Sequence, residues 1–177
     1  MTYDLYIWDP TRHAPMPATD HEAYDTKERL SELQDGWNST LVEFGSALVQ
    51  RFDANPLISA GGLEAFWGAD PRKSIAALKT AAFCLSLPTR DCTQQIAYAV
   101  DAAAGLGLVV FDDNFGSCFL PDGKILPEDM QAIWESDLAE LKADIAEPGR
   151  KKPDGRNIWQ RIAGELFDAL GRGNKSR

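Results

Sequence analysis

The stretch Gly107–Pro127, GLVVFDDNFGSCFLPDGKILP, contains the residues that decide the fold. Its first apolar run, Leu108–Phe111, is rich in β-branched and aromatic side chains, which favour a buried strand. Residues 112–114 and Gly116 supply turn chemistry, because Asp and Asn bond to nearby backbone and Gly accepts positive φ. The run Ser117–Leu120 predicts a returning strand. The stretch therefore predicts an interior β-hairpin with two aspartates at its tip.

A strand is also predicted at the start of the chain, where apolar and polar residues alternate over residues 2–8. Tyr3, Leu5 and Ile7 fall on one face, which we expect to be buried, and the other face is aromatic. A second apolar run, Ala81–Leu87, predicts another strand.

Two capping patterns predict helices before the first internal strand. Thr19 and Glu22 match a capping box for a helix that ends at Gly36. Thr40 and Glu43 match a second box. The apolar residues at helical spacing are Tyr24, Leu30 and Leu33 in the first helix, and Leu41, Phe44, Gly45, Leu48, Val49 and Phe52 in the second.

Further helices follow from similar signals. Residues 89–91 open one that ends at Gly105, and Pro127 opens one that ends at Pro148. A last amphipathic helix is predicted at about 157–170. Residues 56–74 contain several glycines, and we expect only a short helical turn there.

These elements interleave too irregularly for a doubly wound parallel sheet. The sequence predicts an α+β fold with a small, mainly antiparallel sheet of three to four strands and helices on one face. The predicted strands lie near residues 2–8, 80–87, 107–112 and 117–120. We expect a core domain over residues 1–147, and a basic linker and C-terminal amphipathic helix over 148–177 that packs on the core.

The net charge of −9 is unevenly distributed along the chain. Residues 1–147 carry 10 Lys and Arg against 24 Asp and Glu, whereas residues 148–177 carry 8 against 3. An acidic body repels phosphates, which argues against a nucleic-acid ligand and favours a basic protein partner. The basic segment docks either on its own acidic body, which we favour, or on an anionic partner. The oligomeric state is left open.

Several sequence features that indicate membrane insertion, secretion or metal binding are absent. No apolar run reaches 18 residues, no basic N-terminal region precedes an apolar run, and the three cysteines have no metal-ligand spacing. We expect a cytoplasmic protein with reduced thiols, no membrane association and no cofactor. No glycine-rich phosphate loop or Gly-x-Ser-x-Gly motif occurs.

The carboxylates around the hairpin are the candidate functional residues. Adjacent strand residues point to opposite faces, so Asp112 and Asp113 do not readily chelate one ion, and turn formation is the favoured role. If Asp112 and Asp113 do bind Mg²⁺ or Mn²⁺, then Asp122, Glu128 and Asp129 supply further oxygen ligands. The set comprises Asp112, Asp113, Asp122, Glu128 and Asp129.

Five tryptophans offer candidate anchors for a sugar or a protein partner, since indole rings are frequent at binding hot spots. Trp134 and Trp159 lie on apolar helix stripes and are predicted to be structural. Trp8 and Trp67 are the two that we expect at the surface.

Two short motifs resemble a group of bacterial proteins of unassigned function. Residues 3–8, Tyr-Asp-Leu-Tyr-Ile-Trp, and residues 107–112, Gly-Leu-Val-Val-Phe-Asp, match the first and last strands of that group. The resemblance covers about 25 residues, and the chain departs from it at Asp113-Asn114, where the group has Pro-Gln. It implies an immunity-like role in a toxin–immunity setting and transfers no catalytic residue.

We therefore expect a non-enzymatic binding protein, immunity-like, that neutralises a basic toxin or effector domain. The five carboxylates named above are the predicted contact residues, because complementary charge accelerates encounter. The alternative is a carboxylate-dependent, metal-assisted hydrolase or transferase that uses Asp112 and Asp113.

Overall fold

The computed structural model describes residues 3–13, 15–35, 37–55, 59–88 and 92–146. The chain divides into two compact units, Met1–Gln131 and Ala132–Arg177, and the first contains the whole described sheet. The predicted basic linker and the predicted helix at 157–170 lie outside the described residues. The elements in chain order are β1 (Tyr3–Trp8), α1 (Asp20–Glu32), α2 (Ser39–Asp53), α3 (Leu63–Trp67), α4 (Pro71–Ala76), β2 (Ala82–Leu87), α5 (Thr93–Gly105), β3 (Val109–Asp112), β4 (Ser117–Phe119), β5 (Ile125–Leu126) and α6 (Met130–Ala146).

The five strands form one antiparallel sheet in the order β2-β1-β3-β4-β5. The first strand lies inside the sheet, where Leu5 pairs with Leu85 on one side and with Asp112 on the other. The predicted α+β class with a mainly antiparallel sheet is confirmed. The structure adds a fifth strand to the three or four that the sequence predicts. β5 has only two residues, too few to show an alternating pattern.

Helices lie on both faces of this sheet, whereas the sequence predicts them on one. On one face, Trp8, Val109 and Phe111 share a core cluster with Ala23 and Leu30 of α1. On the opposite face, Phe44 of α2 contacts Phe83 of β2 edge to face, with ring centroids 6.4 Å apart. The predicted aromatic outer face of β1 is therefore largely covered, and the sheet is the middle layer of three.

The first helix begins as predicted and buries a different side than predicted. The Thr19 side chain accepts a hydrogen bond from the Glu22 amide at 3.1 Å, which confirms Thr19 as the N-cap. The Glu22 carboxylate bonds the Ala18 amide rather than that of Thr19. The predicted stripe of Tyr24, Leu30 and Leu33 is wrong, because Tyr24 and Leu33 are 46% and 39% exposed. The buried residues of α1 are Ala23, Lys27 and Leu30.

The end of α1 and the start of α2 also differ from the prediction. The first helix ends at Glu32 rather than at Gly36, because Leu33 accepts a hydrogen bond from Ala81 beside the sheet edge. The N-cap of α2 is Asn38 and not Thr40. Its side-chain oxygen accepts from the amides of Thr40 and Leu41 at 2.9 and 3.4 Å. All six predicted apolar positions of α2 are buried.

Replacement of Leu30 by Ala tests the contact of α1 with the sheet. Leu30 is fully buried, so Leu30→Ala is expected to lower the free energy of unfolding by about 2–5 kcal/mol in urea denaturation. The matched control is Leu33→Ala, three residues along the same chain segment and exposed, where the change is expected within about 0.5 kcal/mol. Equal effects at the two positions would contradict this packing.

Candidate functional site: the aspartate turn and the acidic surface of α1

The tip of the predicted hairpin is a tight turn built by Asp112. One oxygen of its carboxylate accepts hydrogen bonds from the amides of Asn114 and Phe115, at 2.9 and 3.3 Å. The Gly116 amide donates to the Asp112 carbonyl at 2.9 Å, and Gly116 has φ of +66°, which favours glycine. The turn chemistry predicted for this stretch is present, with Asp112 as its organising side chain.

The second carboxylate oxygen of Asp112 ties the turn to the first strand. It accepts a hydrogen bond from the Tyr3 hydroxyl, and the Asp112 residue is only 1% exposed. Burial raises the pKa of Asp112 to about 6, although the hydrogen bonds from Tyr3 and from the turn amides act in the opposite direction. Burial and the Asp112 carboxylate also raise the pKa of Tyr3. Asp112 thus acts inside the fold and presents no charge to solvent.

Asp113 points to the other side of the sheet and meets a buried lysine. Its Oδ1 lies 2.6 Å from Nζ of Lys27, which also lies 2.5 Å from Oε1 of Glu28. The Lys27 side chain is 5% exposed, while those of Asp113 and Glu28 are 35% and 55% exposed. Burial lowers the pKa of Lys27, but the hydrogen bonds to Asp113 and Glu28 outweigh it, and the pKa is raised.

Three aromatic rings surround the same ammonium group. Nζ of Lys27 lies 4.7 Å from the ring centroid of Tyr24, 4.9 Å from that of Tyr6 and 5.8 Å from that of Phe111. These distances permit cation–π attraction. The lysine is therefore held by two carboxylates at its tip and by aromatic faces around it.

The two adjacent aspartates serve opposite faces and do not converge. Asp112 bonds Tyr3 on one face, and Asp113 bonds Lys27 on the other. Among the described residues, no group of three or more His, Cys, Asp or Glu side chains is placed to hold a metal ion. The two histidines lie apart from the turn, where His13 bonds Asp35 at 2.6 Å and His21 lies 3.7 Å from Asp25.

The remaining candidate carboxylates lie in the turn between β4 and β5 and in the segment that follows β5. Asp122 accepts a hydrogen bond from the Lys124 amide at 3.1 Å, and Nζ of Lys124 lies 2.8 Å from Glu128. The hydrogen bond from Lys124 lowers the pKa of Glu128. Glu128 and Asp129 are both exposed. Because β3, β4 and β5 form a meander, Asp122 lies at the opposite end of β4 from Asp113, whereas Glu128 and Asp129 follow β5. The five predicted residues therefore divide among the β3–β4 turn, the β4–β5 turn and the segment after β5.

The structure places an acidic surface of α1 beside Asp113 that the sequence analysis missed. Asp25 and Glu28 have side chains that are 66% and 55% exposed. Tyr24 is 46% exposed, and its ring contacts that of Phe111 in the sheet. We call Tyr24, Asp25, Glu28 and Asp113 the acidic patch. Charges three residues apart on α1 could have indicated an acidic helix face. The pairing with Asp113 has no local sequence signal.

The tryptophan expectation is reversed by the structure. Trp8 and Trp67 are fully buried, so the prediction that they reach the surface is wrong, and Trp37 is 73% exposed. Trp37 lies between α1 and α2, where its carbonyl accepts a hydrogen bond from Arg12 at 2.9 Å. Its exposure could have been predicted from its position beside the Asn38 cap, outside any apolar stripe.

All three cysteines are free thiols. Cys84 is exposed, whereas Cys92 and Cys118 are buried. Burial raises the pKa of Cys118 to about 12, so this thiol is neutral at physiological pH.

Comparison of the chain with models of protein families, with curated proteins and with solved structures finds no match. A bilayer-spanning helix is absent from the described part of the chain, because no helix there is both long and apolar enough.

The unusual pKa of Asp112 predicts a pH-dependent stability. Its pKa in the folded protein, about 6, is above its ordinary value of 3.8, so its favourable contribution is complete below pH 3.8 and is lost as the pH rises through 6. Asp112→Asn removes this titration. The unfolding free energy of the wild type relative to Asp112→Asn is expected to fall by about 2–3 kcal/mol between pH 4 and pH 7. A difference that stays constant over this range would contradict the assignment.

The Lys27–Asp113 pair is tested by a double-mutant cycle. Asp113→Asn leaves a buried ammonium with one carboxylate fewer, and is expected to cost about 1–3 kcal/mol of unfolding free energy. The same change in a Lys27→Met background is expected to cost less than about 0.5 kcal/mol, because the buried charge is gone. Chemical denaturation of the four proteins measures the coupling, and additive effects would show that the two groups do not interact.

Proposed function

We propose that this protein is a non-enzymatic binding protein whose acidic patch docks a basic protein partner, such as a toxin or effector domain that it neutralises. The observation that carries the proposal is the acidic patch itself. Two carboxylates, those of Asp113 and Glu28, and the exposed ring of Tyr24 are fixed around the buried Lys27. The exposed Asp25 adds a third carboxylate three residues before Glu28 on the same helix.

The rigidity of the patch supports a binding role. Asp113 and Glu28 are both anchored on Nζ of Lys27 at 2.6 and 2.5 Å, so little side-chain freedom remains to be lost on binding. Tyr24 adds a large amphipathic ring, a type of side chain common at binding hot spots. The acidic excess of residues 1–147, with 24 Asp and Glu against 10 Lys and Arg, extends the same field.

Electrostatic steering is the physical advantage of such a surface. A negative field accelerates encounter with a basic partner and disfavours acidic proteins and nucleic acids. The immunity-like setting implied by the sequence resemblance fits this requirement, since a neutralising protein must find its target rapidly. The division of Asp112 and Asp113 between two faces favours this proposal over a shared catalytic centre.

Co-expression with the products of the adjacent genes tests the proposal directly. One of them is expected to co-purify with the full chain and to be basic. In the complex, Asp25→Asn with Glu28→Gln is expected to slow association about tenfold at low salt, measured by surface plasmon resonance, with a smaller effect at high salt.

The matched control removes the same charge elsewhere. Glu43→Gln with Glu64→Gln alters two exposed carboxylates on helices α2 and α3 and is expected to leave association nearly unchanged. Equal slowing of association by the two double substitutions would show that net charge, and not the acidic patch, accounts for the effect. Failure of every adjacent-gene product to form a complex would overturn the proposal.

A further inference from the structure

A cleft of about 510 Å³ lies at the edge of the sheet that β2 forms, and no residue of the acidic patch lines it. Its volume is in the range of pockets that hold ligands. Three of its lining residues, Thr80, Ala82 and Cys84, alternate along the chain. Alternate residues of an antiparallel strand share the direction of their backbone groups. The wall of the cleft therefore includes one side of a strand backbone.

The outward direction at β2 follows from the pairing of β1. The Asp113 amide donates to the Asp4 carbonyl at 3.2 Å, so the even-numbered residues of β1 bond toward β3. The odd-numbered residues of β1 then bond toward β2, and their partners in β2 are odd-numbered as well. The backbone groups of Ala82 and Cys84 consequently point away from β1, toward the open edge.

The residues just before β2 follow the same alternation. The Lys79 carbonyl accepts a hydrogen bond from the Asp35 amide at 3.1 Å, and the Ala81 amide donates to the Leu33 carbonyl at 2.9 Å. Both bonds join the chain to the segment that follows α1. The backbone of Thr80, which lies between these two residues, therefore faces away from that segment.

Most of these outward backbone groups have no partner. Among the described residues, the one hydrogen bond to them comes from the Thr80 hydroxyl, which donates to the Ala82 carbonyl at 3.0 Å. The remaining N–H and C=O groups are open to pairing with an added strand. The open edge ends at Ser86, because Gly68 is so close that a Cβ there would lie 2.7 Å from the Ser86 carbonyl oxygen.

The side chains that line the cleft offer one strong donor to an anionic group. The hydroxyls of Ser31 and Ser74 donate to the carbonyls of Lys27 and Asp70, at 2.7 and 3.2 Å. Hydroxyls engaged in this way present only acceptor lone pairs to a ligand. Among the described residues that line the cleft, Lys79 alone is charged, and it is exposed. A carboxylate in this cleft is therefore best placed beside Lys79.

The two ends of the open edge differ in charge. Burial is the main cause of the raised pKa of the Cys84 thiol, and the carboxylates of Asp4 and Asp113 raise it further. The Cys84 end thus lies in a negative environment, whereas Lys79, five residues earlier in the chain, makes the other end positive. An acidic side chain is repelled at the first end and attracted at the second.

We propose that this cleft receives an extended segment of a partner protein, which pairs its backbone with Thr80, Ala82 and Cys84 and places an Asp or Glu side chain beside Lys79. This is strand addition, in which main-chain hydrogen bonds give affinity and side-chain contacts give specificity. The site takes a segment of opposite charge to the partner surface proposed for the acidic patch. It is therefore a second binding site and does not rest on the proposed function.

Peptide capture on the immobilised full chain tests the charge preference. The probes are acetylated, amidated octapeptide libraries of random uncharged residues, with Glu, Gln or Lys fixed at the second or at the seventh position to sample both strand directions. At one of these positions, Glu peptides are expected to be retained about threefold over Gln peptides, and Lys peptides least. The net charge of −9 predicts the reverse order for non-specific binding.

Substitution of Lys79 assigns that preference to the cleft. Lys79→Gln is expected to remove the Glu preference, and Lys79→Glu to transfer it to the Lys peptides. The matched control, Lys73→Gln, removes the same charge from an exposed lysine that does not line the cleft and is expected to keep the preference. Equal retention of Glu and Gln peptides by the wild type, or a preference that Lys79→Gln leaves intact, would overturn the proposal.

Backbone pairing is tested by N-methylation of the best retained peptide, one residue at a time. Alternate N–H groups of an added strand face β2, so methylation at those positions is expected to reduce retention about tenfold and at the intervening positions much less. The protein itself is unchanged, so misfolding cannot produce the result. Absence of a two-residue period would refute strand addition.

A second copy of the chain is the competing occupant of the same edge. Sedimentation of the full chain with and without the retained peptide is expected to show no change in oligomeric state. A dimer that the peptide dissociates would show that the edge pairs with itself, and would overturn the assignment to a partner segment.

Discussion

The position of α1 against the sheet depends on the contacts of one buried group, the ammonium of Lys27. A lysine that is only 5% exposed must have its charge compensated, and Asp113 and Glu28 do so at 2.6 and 2.5 Å. Because Asp113 belongs to the β3–β4 turn, the same contact fixes α1 against the sheet. The apolar contacts of Ala23 and Leu30 are compatible with small shifts of the helix, whereas this ion pair sets one position.

Asp112 and Asp113 both fix the β3–β4 turn, and their side chains do so from opposite faces of the sheet. Asp112 is enclosed and bonded to Tyr3 at the start of β1, while Asp113 reaches the helix on the other face. The alternation of a β-strand makes this division unavoidable for adjacent residues. It also decides which charge is usable, since a 1% exposed carboxylate stabilises the fold and a 35% exposed one is open to a partner.

Local patterns predicted most of the sheet and the second helix. Tyr3–Trp8, Val109–Asp112 and Ser117–Phe119 have the alternation or β-branched content of strands, and α2 has a continuous apolar stripe. The rotation of α1 could not be predicted in this way. Lys27 interrupts the apolar stripe of α1, and a lysine at such a position predicts a solvent-exposed side chain. Its burial depends on a carboxylate far along the chain, and sequence spacing contains no information about that contact.

The positions of the tryptophans could not be predicted for a related reason. Apolar residues on a helix stripe or an alternating strand are assigned to the core by pattern, but Trp8 and Trp67 lie at element ends, where the pattern is weak. Their burial comes from tertiary packing. The same limit applies to the candidate site. The sequence predicted Asp113 but not Tyr24 or Glu28, which the folded chain brings to the same lysine.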